Sequence, residues 1–326
     1  MTEEQFDVNE PSKKKKRGIF KWVVLFCILL LLAIGIYIGN AYFKVKNTAD
    51  HIQHKIEGRE KSDLRDSGIN LSNQDPISVA LFGVDANKTR LASGDAGRSD
   101  SIIIMSMNPK TNKTIMVSIP RDTQATMVGR DSVEKINHAY AYGGPGMAVK
   151  SVEKLMNVPI DFYATVNMDG LHDMIDKVGG IDVVSNATFS YSGYDFVEGQ
   201  TTHLDGEKAL AFVRSRKENG AGGDFGRQQR QQIAIQGLAK KILSVGSITK
   251  MDSLLKGVED NVVTDFSFDD LKTLGLNYRN AQDKVTKYQL QGSGSILDDG
   301  LWYFLPDEQQ KAEITKAYRD NLDLKE

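Results

Sequence analysis

ISVALFGVD (77–85), SDSIIIMSMNP (99–109) and KTIMVSIPRD (113–122) are the three runs whose reading decides the fold. Each is apolar, rich in β-branched residues and bounded by Gly, Asn and Lys clusters, which is the pattern of a strand. The link NPKTNK is only turn-length, and a short link between neighbouring strands requires antiparallel pairing. If all three form a meander, the end of the first, the start of the second and the end of the third share one sheet edge. That edge gathers Asp85, Arg98, Asp100, Arg121 and Asp122.

Further along the chain the pattern alternates. SVEKINHAYAY and GMAVKSVEKLMN read as helical, PIDFYATVNM as a strand, MDGLHDMIDKVGG as a helix ending in a glycine pair, and IDVVS as a strand. LDGEKALAFVRSR reads as a short helix capped by Asp205 that runs into an extended segment, and a long helix, FGRQQRQQIAIQGLAKKIL, follows Asp224. Strands interleaved with helices predict an α/β domain with a mixed central sheet sandwiched by helices, not a doubly wound parallel one. Residues 246–326 continue with helical and strand-like stretches and no motif that carries chemistry. No internal repeat is visible.

The chain has 326 residues, 40% hydrophobic and 26% charged, the composition of a folded protein large enough to bury a substantial core. One cysteine, Cys27, lies in an apolar run, which excludes a disulfide framework and a thiolate metal cluster. A formal charge of -2 argues against general polyanion or nucleic-acid binding, so any anion site is local.

From Trp22 to Phe43 no residue is charged, a length sufficient to cross a bilayer core of roughly 30 Å as one helix. Lys13, Lys14, Lys15, Lys16, Arg17 and Lys21 directly before it place the N-terminus in the cytoplasm and the rest of the chain outside. Trp22, Tyr37 and Tyr42 sit near its ends, where aromatic rings favour the interface. The expected layout is a cytoplasmic basic tail (1–21), a transmembrane signal anchor (22–43), a polar extracellular stalk (44–74) and an extracellular domain (75–326), in a single-pass type II cell-membrane protein. His51 and His54, at spacing three, read as part of a solvated stalk face.

Three sets of residues bear on chemistry. Asp85 and Asp100, flanked by Gly83 and Gly97, suit a hard divalent cation that keeps several waters; two turn aspartates capping strand ends is the alternative. In FVRSR a strand period of two sets Arg214 and Arg216 on one face, while GDFGRQQRQQ puts Arg227 and Gln231 one helical turn apart near a helix start. Arg121 follows Pro120, which fixes the local backbone. Guanidinium groups bind phosphate oxygens in pairs and stay protonated, so such a cluster beside a metal pair suits a pyrophosphate. His138, His172 and His203 are isolated, and no catalytic triad, Walker loop or dinucleotide fingerprint is present. Tyr140 and Tyr142 either line an apolar cleft or fill the core.

FGVD, GRSDSIIIMSMNP, VSIPRDT, KINHAYAYGG, LDGEKALAFVRSR and GDFGRQQRQQ, in this order behind a signal anchor, resemble the LytR-CpsA-Psr family of Gram-positive cell-envelope proteins over about residues 77–243. The resemblance implies an α-β-α domain and an extracellular phosphotransferase. Its activity would be to move an anionic glycopolymer, of wall teichoic acid or capsular polysaccharide type, from a polyprenyl-pyrophosphate carrier to a peptidoglycan hydroxyl. It implies Mg²⁺ or Mn²⁺ at Asp85 and Asp100, catalytic roles for Arg121, Asp100, Arg214 and Arg227, and substrate binding by Arg98, Arg216 and Gln231, with the lipid tail in an apolar tunnel between sheet and helices. The proton acceptor for the attacking hydroxyl is open between Asp122 and Asp224. A pyrophosphatase and a non-catalytic prenyl-phosphate sensor or attenuator are the competing readings.

Overall fold

The computed structural model describes residues 39–85, 97–168, 170–244 and 251–324. It divides into two units, Met1–Asn47 and Thr48–Glu326. Of the first, only 39–47 are described, and they are helical. No helix of the described residues is long and apolar enough to cross a membrane. The basic tail, Cys27 and the predicted span, except for 39–43, lie outside the described residues.

The second unit is built on a six-stranded mixed sheet. Its strands are β1 (Ile77–Asp85), β2 (Arg98–Asn108), β3 (Lys113–Ile119), β6 (Phe162–Asn167), β11 (Val262–Thr264) and β12 (Lys284–Gln289), in the order β11-β6-β1-β2-β3-β12. The meander forms as the short link requires, with β1–β2 and β2–β3 antiparallel, while β6 and β12 add in parallel to β1 and β3. β1 is buried along nearly its whole length, which is why it reads as a continuous apolar run with no alternation.

Helices cover both faces. Ala80, Phe82, Ile104, Val117 and Ile119 pack under α1 (His138–Met156) and the C-terminal α7 (Glu308–Asn321). On the opposite face Ile77 and Val79 pack with Leu274 of α6 (Phe268–Asn277) and with Phe266 and Tyr278 at its ends. α4 (Gly223–Ser244) lies over β3 on that same face, through Gln232 to Ser118 and Gln236 to Met116. A satellite core joins α2 (Leu171–Val178), α3 (Gly206–Arg214) and α4 to the short hairpins β7/β10 (Ile181–Val184, Thr201–Leu204) and β8/β9 (Phe189–Tyr191, Tyr194–Phe196). Stacking of Phe189 on Phe196 at 4.7 Å centres it. α5 (Met251–Asn261) completes the helices.

Two expectations are corrected. SVEK, read as helical, forms strand β5 (Ser132–Lys135), paired with β4 (Gln124–Met127), and the helix begins only at His138. Its apparent helical spacing is overridden by a partner strand. The helix then kinks where Gly144 takes φ 57° before Pro145.

The second correction concerns the polar stretch expected as a stalk. From Thr48 it belongs to the domain. Arg59 reaches Glu153 with two hydrogen bonds of 3.1 and 2.7 Å, and the same carboxylate accepts from Ser62 Oγ and the Ile160 amide. Arg65 pairs with Asp161 at 2.5 Å. Burial favours the neutral form of that carboxyl and raises its pKa, against the pull of Arg65. His51 pairs with Glu259 at 3.1 Å. Breaking a buried pair strands one charge, at a cost of about 3–5 kcal/mol. Glu153→Ala is therefore expected to lower the melting temperature by roughly 10 °C; a calorimetric shift of under two degrees would mean this segment contributes nothing to the domain.

Candidate functional site

The sheet edge delivers the first group of side chains. Asp85 ends β1 directly opposite Arg98, which starts β2 after Gly97 at φ 75°. Register then slips: Val84 faces Ser99 and Gly83 faces Ser101, so Asp100 is the extra residue of a β-bulge. Bulges re-aim a side chain at a sheet edge, and here the residue re-aimed is a carboxylate. Gly83 is what the bulge tolerates, since a Cβ there would lie 2.9 Å from both Ser101 Cβ and Met168 Sδ.

Arg121 meets this carboxylate, Nη1 to Asp100 Oδ1, at 3.0 Å. Its backbone is fixed by a turn in which Thr123 donates to Pro120 O through both its amide and its hydroxyl. The Asn137 amide also donates to Arg121 O, so the start of KINHAYAYGG braces the arginine from behind. Asp122 sits between Arg121 Nε at 3.5 Å and Lys135 Nζ at 3.3 Å.

At the rim, Glu134 accepts from Tyr142 OH and Ser132 Oγ and contacts His138 Nδ1 at 2.9 Å. Against the desolvation that burial imposes, these three bonds hold its carboxyl down at about 2. Arg130 lies over the Tyr142 ring at 3.9 Å. Tyr142 is thus a rim residue, whereas Tyr140 fills the core and donates to Thr165. His172 is ringed by Asp173, Asp176 and Glu207, and His203 pairs with Asp182 at 2.7 Å.

The second group comes from α3 and α4. Asp205 caps α3 as the sequence predicts, accepting from the Lys208 amide. Arg214 and Arg216 do not share a strand face. Arg214 is the last helical residue, Ser215 is buried, and Arg216 opens the following loop, where its amide donates to Glu218. Arg227 and Gln231 stand one turn apart on α4, as their spacing requires. Asp224 lies on the first turn of α4, its side chain outside those described, and the loop 86–96 between Asp85 and Arg98 is outside the described residues too.

The two groups meet where Gln232 Nε2 donates to Ser118 Oγ, three residues before Arg121, and where Gln289 of β12 reaches Gln228 at 3.5 Å. Gln228, Gln232 and Gln289 lie on this helix–sheet seam. Among the described residues Ser99 Oγ, Asn137 Oδ1 and Gln231 Oε1 are buried without a hydrogen-bond partner. Ser99 precedes Asp100, Asn137 braces Arg121, and Gln231 follows Arg227 by one turn. Buried polar atoms left open in this way are places that a ligand or a water fills.

Sequence reading missed Arg230. It is fully buried and fixed by Nη1 to Ala221 O at 2.9 Å and Nη2 to Ser215 O at 2.7 Å, with Phe189 beneath its guanidinium at 4.5 Å. Burial pushes it down to about 10, so it stays charged at neutral pH. Its signal in the sequence is faint, one arginine among glutamines three residues from Arg227.

No group of three or more His, Cys, Asp or Glu side chains suited to a metal occurs among the described residues. Two carboxylates from adjacent strands, one on a bulge, are still a donor set of the right hardness for a divalent ion whose other ligands are water or phosphate oxygens.

A mixed α/β sandwich that sets Asp85, Arg98, Asp100 and Arg121 at one sheet edge and Arg227 near one helix start has the residue types used by the phosphate-handling class of domain. Within that class the chain belongs to the LytR_cpsA_psr family, whose model matches residues 39–320. It is 40% identical over 311 residues to the polyisoprenyl-teichoic acid–peptidoglycan teichoic acid transferase TagU of Bacillus licheniformis, covering 95% of this chain and 98% of that one. The crystal structure of Bacillus subtilis TagU superposes with a TM-score of 0.64 at 41% identity, over 77% of this chain and 99% of that one. A structure of TagT bound to LIIa-WTA does so at 0.67 and 27% identity, over 83% and 100%.

Proposed function

We propose that this protein is a cell-envelope phosphotransferase that moves teichoic acid from a polyisoprenyl-pyrophosphate carrier to peptidoglycan. The observation that carries this reading is the Arg121–Asp100 pair at a bulged sheet edge, in a chain that matches transferases of that name along almost its whole length. The predicted signal anchor supports a single-pass, type II arrangement that confines enzyme and lipid donor to one surface and raises their effective concentration.

In the reaction an acceptor hydroxyl oxygen attacks the phosphorus that carries the polymer. One P–O bond forms, the bond to the bridging oxygen breaks, and the lipid phosphate departs with the extra negative charge. Arg121, Arg98, Arg214, Arg216 and Arg227, with Gln231, hold the phosphate oxygens and offset that charge as it develops. Asp85 and Asp100 would hold Mg²⁺ or Mn²⁺. Such an ion, when bound, polarises phosphoryl oxygens as a Lewis acid. On substrate binding, Arg121 would exchange its bond with Asp100 for one with phosphate. The hydroxyl proton passes to a carboxylate, Asp122 or Asp224. Asp122 pairs with Lys135 at 3.3 Å.

The test is transfer by the full-length chain in detergent, with polyprenyl-pyrophosphate-linked polymer as donor and peptidoglycan as acceptor, in Mg²⁺ and in EDTA. Metal-dependent transfer is expected. Donor binding without turnover in either condition would sink the proposal in favour of a sensor, and release of polymer to water alone would favour a pyrophosphatase.

A further inference from the structure

The turn between β4 and β5 carries an arginine that none of the quoted motifs includes, and the surrounding side chains hold it in one place. Residues 128–131 join the two strands, with Gly129 at φ 92° and Asp131 at φ 54°. The Val128 amide fastens this turn to α1 by donating to Ser151 Oγ at 3.1 Å, and the Arg130 amide closes it on Met127 O at 3.1 Å.

The Arg130 guanidinium lies 3.9 Å from the centre of the Tyr142 ring. Directly after Tyr142 the helix breaks, at Gly143 (φ -142°, ψ 24°) and Gly144 (φ 57°, ψ -154°). The tyrosine therefore stands at a free end, 41% exposed. One turn earlier is His138, and both residues meet the same Glu134 oxygen, Tyr142 OH at 2.7 Å and His138 Nδ1 at 2.9 Å, while Ser132 Oγ donates to the other at 2.9 Å. The ring is fixed through its hydroxyl, and the arginine is fixed on its face. That hydroxyl is held above the ordinary tyrosine pKa by its bond to Glu134, and the charges of Arg130 and Arg98 both pull against the rise. Since Arg98 opens β2 opposite Asp85, the platform adjoins the sheet-edge site.

Other charges nearby are already engaged. Lys135 of β5 has its ammonium 3.3 Å from Asp122 and 5.9 Å from the ring of Tyr303, which belongs to the hairpin of β13 (Gly292–Ile296) and β14 (Trp302–Pro306). Glu134 is taken up by Tyr142, Ser132 and His138. Among the described residues no carboxylate pairs with Arg130. A guanidinium stacked on an aromatic ring keeps its N–H donors, which lie in its own plane and point outward.

We propose that Arg130 on Tyr142 is a second anion subsite and that its occupant is a phosphodiester of the glycopolymer chain, beyond the pyrophosphate. The inference rests on the transferase reading above and adds how the polymer is recognised. A phosphodiester at neutral pH offers two oxygen acceptors, one negative charge and no donor, which is the complement of a planar fork of N–H groups. With a formal charge of -2 the chain has no general attraction for polyanions, so capture of such a polymer has to be local. Arg130 shares Tyr142 with Arg98, a residue assigned to the donor, so the phosphate that reaches it is one attached to the donor. The subsite selects polymers with phosphate in their repeat over uncharged ones.

The test compares two donors with the full-length chain in detergent: polyprenyl pyrophosphate bearing the phosphate-containing polymer, and the same lipid bearing only the first sugars, without phosphodiesters. Arg130→Ala is expected to raise KM for the polymer donor about tenfold, the loss of one charged hydrogen-bonded contact, and to leave KM for the short donor within about twofold. Tyr142→Ala, which removes the platform, should match it, and the melting temperature of Arg130→Ala should not move. Lipid-free polymer titrated by calorimetry should bind Arg130→Ala about tenfold more weakly than wild type. Equal changes in KM for both donors, or no change for either, overturn the proposal. So does an Arg130→Ala effect confined to micelles containing phosphatidylglycerol and absent in neutral ones, which would make the platform a lipid-headgroup contact. Arg130-dependent binding of free polymer by a chain that transfers neither donor would sink the transferase reading and leave the subsite standing.

Discussion

Arg121→Ala is expected to lower glycopolymer transfer by roughly 10²–10³-fold, the usual loss when one fixed donor to a developing oxyanion is removed, and to leave the domain folded. Its guanidinium is 22% exposed and pairs with a carboxylate that is 27% exposed. Such a pair contributes about 1 kcal/mol or less to stability. The main effect therefore belongs to kcat, not to the melting temperature. Asp100→Ala is expected to match it in transfer and to reduce the response to added Mg²⁺. Because the two side chains compete for each other and for ligand, their effects should be far from additive, so the double variant should lose little beyond either single one. Transfer within threefold of wild type in both variants would remove the sheet edge from the reaction.

The parts that were legible in the sequence are those set by local pattern. β1, β2 and β3 announce themselves because strands buried on both faces are continuous in Ile, Val and Leu, and the short NPKTNK link leaves only an antiparallel answer. Asp205 and the Gly179–Gly180 pair mark helix ends by capping chemistry that involves only near neighbours. Arg227 and Gln231 were placed correctly because helical spacing is itself local.

What was not legible depends on partners far along the chain. Arg59 and Arg65 look like stalk charges until Glu153 and Asp161, more than 90 residues away, receive them. Ser132–Lys135 is too short and too charged to declare itself a strand without β4 beside it. GSGSI has poor strand propensity, because two of its five residues are glycines; it pairs because Trp302 and Phe304 from β14 cover the bare backbone those glycines leave. The bulge at Asp100 was equally hidden, since an extra residue appears only against the register of the neighbouring strand.

Arg230 gives the second large effect, and it arises from burial instead of contact with phosphate. Its two backbone bonds hold Ser215, the residue between Arg214 and Arg216, and Ala221, just before α4 begins. One side chain therefore ties the end of α3 and the loop after it, which bear Arg214 and Arg216, to the helix bearing Arg227, the three arginines proposed to hold phosphate. Arg230→Met removes the donors from both carbonyls, and each buried group left unpaired costs about 1–3 kcal/mol. A displacement of the loop by about 1 Å is enough to reduce the rate on the order of 10²-fold. Arg230→Lys keeps the charge but has no planar fork to reach two carbonyls at once, so it should recover part of the stability and little of the activity. A structural role alone predicts that stability and transfer recover in step. The measurement that separates them is donor KM alongside melting temperature in both variants. Full recovery of donor KM in Arg230→Lys would show that charge, and not the loop geometry it fixes, is what the site requires.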